Sequence, residues 1–230
     1  MKRFWKDVSV GADRVVALDG RPVRTPGRVP LSLPTDALAQ AVAAEWRAVG
    51  ETVDPRTMPI TGLANAAIDR IAPDPAPFVA DLARYAETDL LCYRADAPAD
   101  LVARQRSLWD PPLAWARTRY DVHFTLATGI VHRPQPDATV ERLAAAVAAL
   151  DPFRLAAMTP LVSITGSLVL SLAILERAMT PDEAWSTALV DEDWQAERWG
   201  VDPLAEAART DRRRGFDAAA AFLEALGDWA

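Results

Sequence analysis

The sequence predicts an α+β fold, with a small N-terminal domain of short antiparallel strands and helices followed by a larger all-helical C-terminal domain. Three observations carry that expectation. Short apolar runs between Gly- and Pro-rich turns fill the first third of the chain, helical apolar spacing dominates the rest, and Pro73, Pro75 and Pro77 punctuate the passage between them. Proline donates to neither a helix interior nor a strand ladder, so the domains are expected at 1–75 and 76–230.

Strands are expected over Phe4–Val10, Arg14–Leu18 and Val29–Leu33, separated by Gly11-Ala12-Asp13 and by the Pro/Gly-rich 19–30 stretch. Thr35 can cap a helix whose Leu38, Val42, Trp46 and Val49 keep helical spacing, and Gly50 ends it. A second helix is expected over Ile60–Ile71. Beyond the prolines, Pro77–Glu87 reads as helix and Thr88–Arg94 as a short strand or extended connection. Pro98–Trp109 is expected to form one helix. Asp110 before Pro111 has the pattern of a cap and first-turn proline, which starts another helix toward Tyr120 at an angle to the first.

The stretch 122–133 is irregular, and Thr139–Leu150 is an alanine-rich helix. Leu155–Leu175 carries no charge and approaches the ~20 residues of a bilayer span. It reads instead as a buried helix, because it contains Pro160 and Gly166 and because Thr159, Ser163, Ser167 and Ser171 form a small polar stripe suited to close helix packing. Arg154 and Arg177 flank both ends and give no orienting bias. Thr180-Pro181-Asp182-Glu183 resembles a capping box that opens a helix to about Trp199, stopped by Gly200, and a last helix covers Pro203–Leu226.

Half of the 230 residues are hydrophobic, enough to bury a sizeable core. The 25 basic and 32 acidic residues leave a net charge of -7, which disfavours nucleic acid and anionic lipid as partners. Cys92 is the single cysteine and only His123 and His132 accompany it, so neither a disulfide framework nor a zinc ligand set can be assembled. The chain has no phosphate-binding Gly-rich loop, dinucleotide fingerprint, nucleophile elbow or paired-His metal motif. No catalytic residue and no metal ligand is therefore assigned. The first residues show no signal core or transit peptide, and an Ala-, Arg-, Asp- and Pro-rich composition with few Lys leads us to expect a bacterial cytoplasmic protein.

The most informative segment is Asp191-Glu192-Asp193-Trp194-Gln195-Ala196-Glu197-Arg198-Trp199-Gly200. At ~100° per residue, Trp185, Leu189, Glu192, Ala196 and Trp199 fall within a band of roughly 80°, so Glu192 interrupts an apolar stripe while Asp191 and Asp193 point to either side. Two readings stand: a carboxylate at the edge of the core paired with an arginine, or a charge held among aromatics for a partner. Arg209, Arg212, Arg213 and Arg214 read as a solvated helix face, with an acidic partner surface as the alternative.

Several strings taken together resemble a known family. They are Arg3-Phe4-Trp5-Lys6-Asp7-Val8, Glu45-Trp46 ahead of Met58, Glu87-Thr88-Asp89-Leu90-Leu91-Cys92-Tyr93-Arg94, Trp109-Asp110-Pro111, Trp115-Ala116, Arg119-Tyr120 and the 191–200 segment. Their order and spacing resemble the assembly chaperones of the F(1)-ATPase alpha subunit found in mitochondria and alphaproteobacteria. The resemblance implies a two-domain protein with no cofactor and no turnover, which binds unassembled alpha subunit on surface that beta later covers. It also implies partner-binding residues in the acidic motif, which falls on Asp191, Glu192 and Asp193 with Trp194 beside them; Glu192 is the expected contact. Mitochondrial members carry a targeting segment ahead of the first string, whereas here the string opens the chain. The competing readings are an enzyme using a groove carboxylate as general acid or base, and a membrane-associated assembly factor anchored by Leu155–Leu175.

Overall fold

A computed structural model describes residues 2–129 and 132–227. Ile130 and Val131, inside the stretch expected to be irregular, lie outside the described residues. The chain forms two compact units. The first comprises Met1–Pro75, Asp151–Ala157 and Asp217–Ala230, and the second Ala76–Leu150 and Met158–Phe216. We propose Pro75 and Ala76 as the point where one domain passes to the next.

In the first unit, strands β1 (Val8–Val10) and β2 (Val16–Leu18) pair antiparallel, and β2 pairs with β3 (Arg21–Pro22). The third strand is not Val29–Leu33 as expected; that run makes only isolated bridges, Val15 to Ser32 and Arg24 to Pro30. The reason is the turn. Asp19 and Gly20 both take positive φ, 47° and 77°, so Leu18 faces Arg21 across a two-residue hairpin and the chain returns at once.

Helix α1 (Asp36–Ala48) starts where Thr35 accepts from the Leu38 N–H. It buries Leu38, Ala39, Val42 and Ala43 and sets Trp46 edge-on to Trp5 with ring centroids 5.3 Å apart. The helix expected over Ile60–Ile71 is helix α2 (Pro59–Ala66) followed by a π turn (Ala67–Ile71). The π turn is anchored from outside, because the Asp69 carboxylate accepts from the Thr25 hydroxyl at 2.6 Å and the Gly27 N–H at 2.7 Å.

Residue 58, where α2 begins, offers no capping side chain. Glu45 of α1 replaces it, accepting from the Ile60 and Thr61 N–H groups at 2.8 and 2.7 Å and from the Thr61 hydroxyl at 2.6 Å. Removing it strands two helix-terminal donors. Glu45→Ala is expected to cost about 2–3 kcal/mol, with Glu45→Gln costing less because it keeps one acceptor. Urea unfolding at unchanged slope measures this; an Ala variant as stable as the parent would show that water serves as well.

Among its described residues the second unit is mostly helical, with a two-residue parallel ladder of β4 (Tyr93–Arg94) and β5 (Ala127–Thr128). Its helices are α3 (Ala76–Ala83), α4 (Ala99–Tyr120) and α5 (Asp137–Ala148), the later part of α6 (Pro152–Thr165), α7 (Leu168–Leu175), α8 (Pro181–Ala188), α9 (Val190–Trp199), and the earlier part of α10 (Pro203–Leu226). Three sequence expectations change. The two angled helices expected around Asp110 are one helix, α4, with Pro111 and Pro112 inside it. A proline pair costs on the order of 3 kcal/mol per residue in a helix, but here Pro112 itself and the flanking Trp109, Leu113 and Ala116 are all buried, which outweighs the local stop signal.

The helix expected over Leu155–Leu175 is broken between α6 and α7. Gly166 takes φ 67°, a left-handed conformation that side chains rarely adopt, and Ser167 caps α7 by accepting from Leu170 N–H. The polar stripe divides with it: Ser167 and Ser171 are buried, Thr159 and Ser163 exposed. No helix among the described residues is long and apolar enough to cross a membrane. Finally, the helix expected from Pro181 to Trp199 breaks at Leu189 into α8 and α9. The capping box at its start is present as expected, with Thr180 and Glu183 bonding each other's backbone N–H.

Candidate functional site

The break at Leu189 resets the helical phase, so the stripe expected from Trp185 to Trp199 is not one face. Trp185 and Leu189 are buried, whereas Glu192 is exposed and Trp199 is 74% exposed. The carboxylates of α9 instead face α4 and α10. Asp191 accepts from Gln105 Nε2 at 2.7 Å, Glu192 takes a two-pronged pair from Arg212 at 2.9 and 2.6 Å, and Asp193 pairs with Arg209 at 2.5 Å. Three of the four arginines read as a solvated face, Arg209, Arg212 and Arg213, therefore pair with acids of α8 and α9, Arg213 meeting Asp182. Arg214 pairs with Asp211 one turn back.

Trp194 donates its indole N–H to Asp100 Oδ2 at 3.3 Å, lies under the Arg198 guanidinium, and meets Trp199 edge-on at 5.5 Å. Arg198 closes onto the same Asp100, and Arg104 forks onto Glu197 with both bonds at 2.8 Å. The result is a surface of alternating paired charge. At its edge the chain leaves α9 and enters α10 through Trp199, Val201 and Leu204, the last two 63% and 80% exposed.

Glu192 and Arg212 keep 47% and 37% of their side-chain surface in water. A pair so exposed contributes about 0–1 kcal/mol and can exchange partners without disturbing the fold. Its carboxylate holds the Arg212 guanidinium above its usual range through their hydrogen bonds.

Sequence reasoning placed the four candidate residues on one helix but missed Gln105, Arg104 and Asp100, which α4 supplies. It also missed Asp89, fully buried, which accepts from the Ser167 hydroxyl at 2.8 Å and from the Leu91 and Val169 N–H groups at 3.0 Å each. Burial pushes its carboxyl up to about 6, against the downward pull of those N–H donors. His132 lies between the Tyr93 hydroxyl and Glu87, and the His123 backbone exchanges bonds with the Thr139 hydroxyl. No group of three or more His, Cys, Asp or Glu among the described residues is arranged to hold a metal ion.

Residues 2–117 match a family described as ATP12 chaperone protein, which makes the class that of a chaperone. The mitochondrial protein atp12 of Schizosaccharomyces pombe is 26% identical over 214 residues, covering 86% of this chain and 74% of that protein. The crystal structure of Atp12 from Paracoccus denitrificans superposes with a TM-score of 0.92 at 42% identity over 98% of each chain. A point mutant of P. denitrificans Atp12p superposes at 0.93, also with 42% identity, over 98% of this chain and 97% of that one. The chain belongs to the ATP12 chaperone family.

Proposed function

We propose that this chaperone acts in ATP synthase assembly, in the bacterial cytoplasm, by holding the unassembled alpha subunit of F(1)-ATPase until beta takes its place, and that it does so by binding alone, without turnover. Family membership supports the chaperone role, and the resemblance of the quoted strings supports the client. The observation that carries a binding surface is the apolar corner Trp199, Val201 and Leu204, exposed beside the ion-paired face of α9. Large apolar side chains grouped in water mark interaction sites, and a naked subunit interface is the apolar, aggregation-prone surface such a corner suits.

Within this surface we propose Glu192 as the main partner contact, with Asp191, Asp193 and Trp194 beside it. Glu192 can release Arg212 and accept a basic residue of the client at little cost, whereas Asp191 and Asp193 lie deeper in their pairs. Purified alpha subunit should scatter less light when equimolar chaperone is added without ATP. Glu192→Gln should melt within a few degrees of the parent yet protect alpha clearly less well, with Asp191→Asn and Asp193→Asn doing less. Unchanged alpha aggregation beside wild-type chaperone would remove the client assignment, and full protection by Glu192→Gln would remove the contact.

A further inference from the structure

The proline pair of α4 has a chemical consequence outside the acidic face. Proline carries no N–H, so Pro111 and Pro112 leave the carbonyls of Ser107 and Leu108 without their helical donors. These four residues form one wall of a cavity of about 550 Å3. Trp115 and Met179 supply apolar floor, and Ala173, Ala178, Ser186 and Thr187 keep the far side narrow in side-chain bulk. Asp182 and Glu183 stand at the rim, and no Lys, Arg or His is among the described residues that line the cavity.

Glu183 uses its Oε2 on the Thr180 backbone and hydroxyl, which hold its carboxyl below the usual range. Asp182 pairs with Arg213 while keeping 82% of its side-chain surface in water. The cavity thus combines an apolar floor, two backbone acceptors lacking helical donors and two carboxylates, of which Asp182 already meets Arg213 while Glu183 meets no cation among the described residues. Its complement is a side chain with an apolar stem and several donors in a fork, which is arginine rather than lysine.

We propose that this groove takes an arginine of the client, flanked by an apolar residue, with the guanidinium reaching the Ser107 and Leu108 carbonyls and the Asp182–Glu183 rim. The proposal rests on the reading of the chain as a protein that holds a client polypeptide. It adds a second contact, distinct from Glu192, and specifies what that contact recognises.

A capped Leu-Arg-Leu peptide titrated into the full-length isotope-labelled chain tests it. Saturable shifts of the Trp115 indole and Ser186 amide signals are expected. The peptide with citrulline in place of arginine, equal in shape but uncharged, should bind about 5-fold more weakly or worse, the scale of a solvent-edge charge contact. Asp182→Asn combined with Glu183→Gln should remove most of that difference, and Ser186→Trp should abolish the shifts; if the latter fails to fold, the citrulline comparison decides. No shift at Trp115, or equal binding of the arginine and citrulline peptides, overturns the proposal. If wild-type chain captures alpha subunit while Trp115 is unmoved, the client reading stands and the groove falls; if the peptide binds and alpha is not captured, the groove stands and the client is another protein.

Discussion

Trp109→Ala is expected to destabilise the chain by about 4 kcal/mol, the range for emptying a fully buried tryptophan site. Trp109 is completely inaccessible, lies under the Arg94 guanidinium, and donates its indole N–H to the Thr187 carbonyl at 2.8 Å. Thr187 is the next-to-last residue of α8, which stops at Ala188, so its carbonyl is one that the helix end leaves without an intrahelical donor. Substitution therefore opens a cavity and strands a buried acceptor at the α8–α9 break. Trp109→Phe keeps most of the ring but not the N–H, and should cost about 1–2 kcal/mol, separating the two contributions. Urea denaturation followed by far-ultraviolet circular dichroism gives both values. An Ala variant within about 1 kcal/mol of the parent would mean that the site collapses and water reaches Thr187.

Asp89→Ala is the second large effect, expected at about 3–5 kcal/mol. It would leave the N–H groups of Leu91 and Val169 and the Ser167 hydroxyl without an acceptor in a site closed to water. The pH dependence follows from the carboxyl lying at about 6 instead of the ordinary 3.8. A carboxyl raised by folding binds its proton more tightly in the native state. Its contribution is therefore fully present below about pH 4 and is lost as pH rises through about 6, a span worth about 3 kcal/mol. Asp89→Asn cannot titrate, so the stability difference between parent and Asn variant should be larger near pH 5 than near pH 8. Surface ion pairs contribute equally to both proteins and cancel. A difference that grows toward pH 8 would show that the N–H donors outweigh burial and hold Asp89 ionised.

The proposed site was half legible in the sequence. Asp191, Glu192, Asp193 and Trp194 are conspicuous because charge and aromatic residues alternate there, and of the two readings of Glu192, the structure shows the arginine pair while leaving the carboxylate reachable. The identity of the partner arginine was not legible. Arg209, Arg212, Arg213 and Arg214 are equivalent in composition, and only the placement of α10 against α9 assigns Arg212 to Glu192 and Arg209 to Asp193.

The sequence by itself determined that short strands come first and a mostly helical remainder follows, and it determined the caps at Thr35 and Thr180, because each cap depends on groups within four residues of one another. It also held the Asp19-Gly20 hairpin, whose turn chemistry is equally local. Tertiary structure alone decided where long helices break or continue. α4 runs through two prolines because its flanking residues are buried, α8 stops at Ala188 where Trp109 accommodates its free carbonyl, and α7 starts at Ser167 where Asp89 receives its first N–H groups. The partners in those last two contacts lie 78 and 80 residues apart in the chain, and Gln105 meets Asp191 across 86. Local preferences, about 1 kcal/mol or less for ordinary residues and about 3 kcal/mol for a helical proline, are overruled when burial and buried hydrogen bonds of several kcal/mol depend on such distant groups, so no window along the sequence contains the answer.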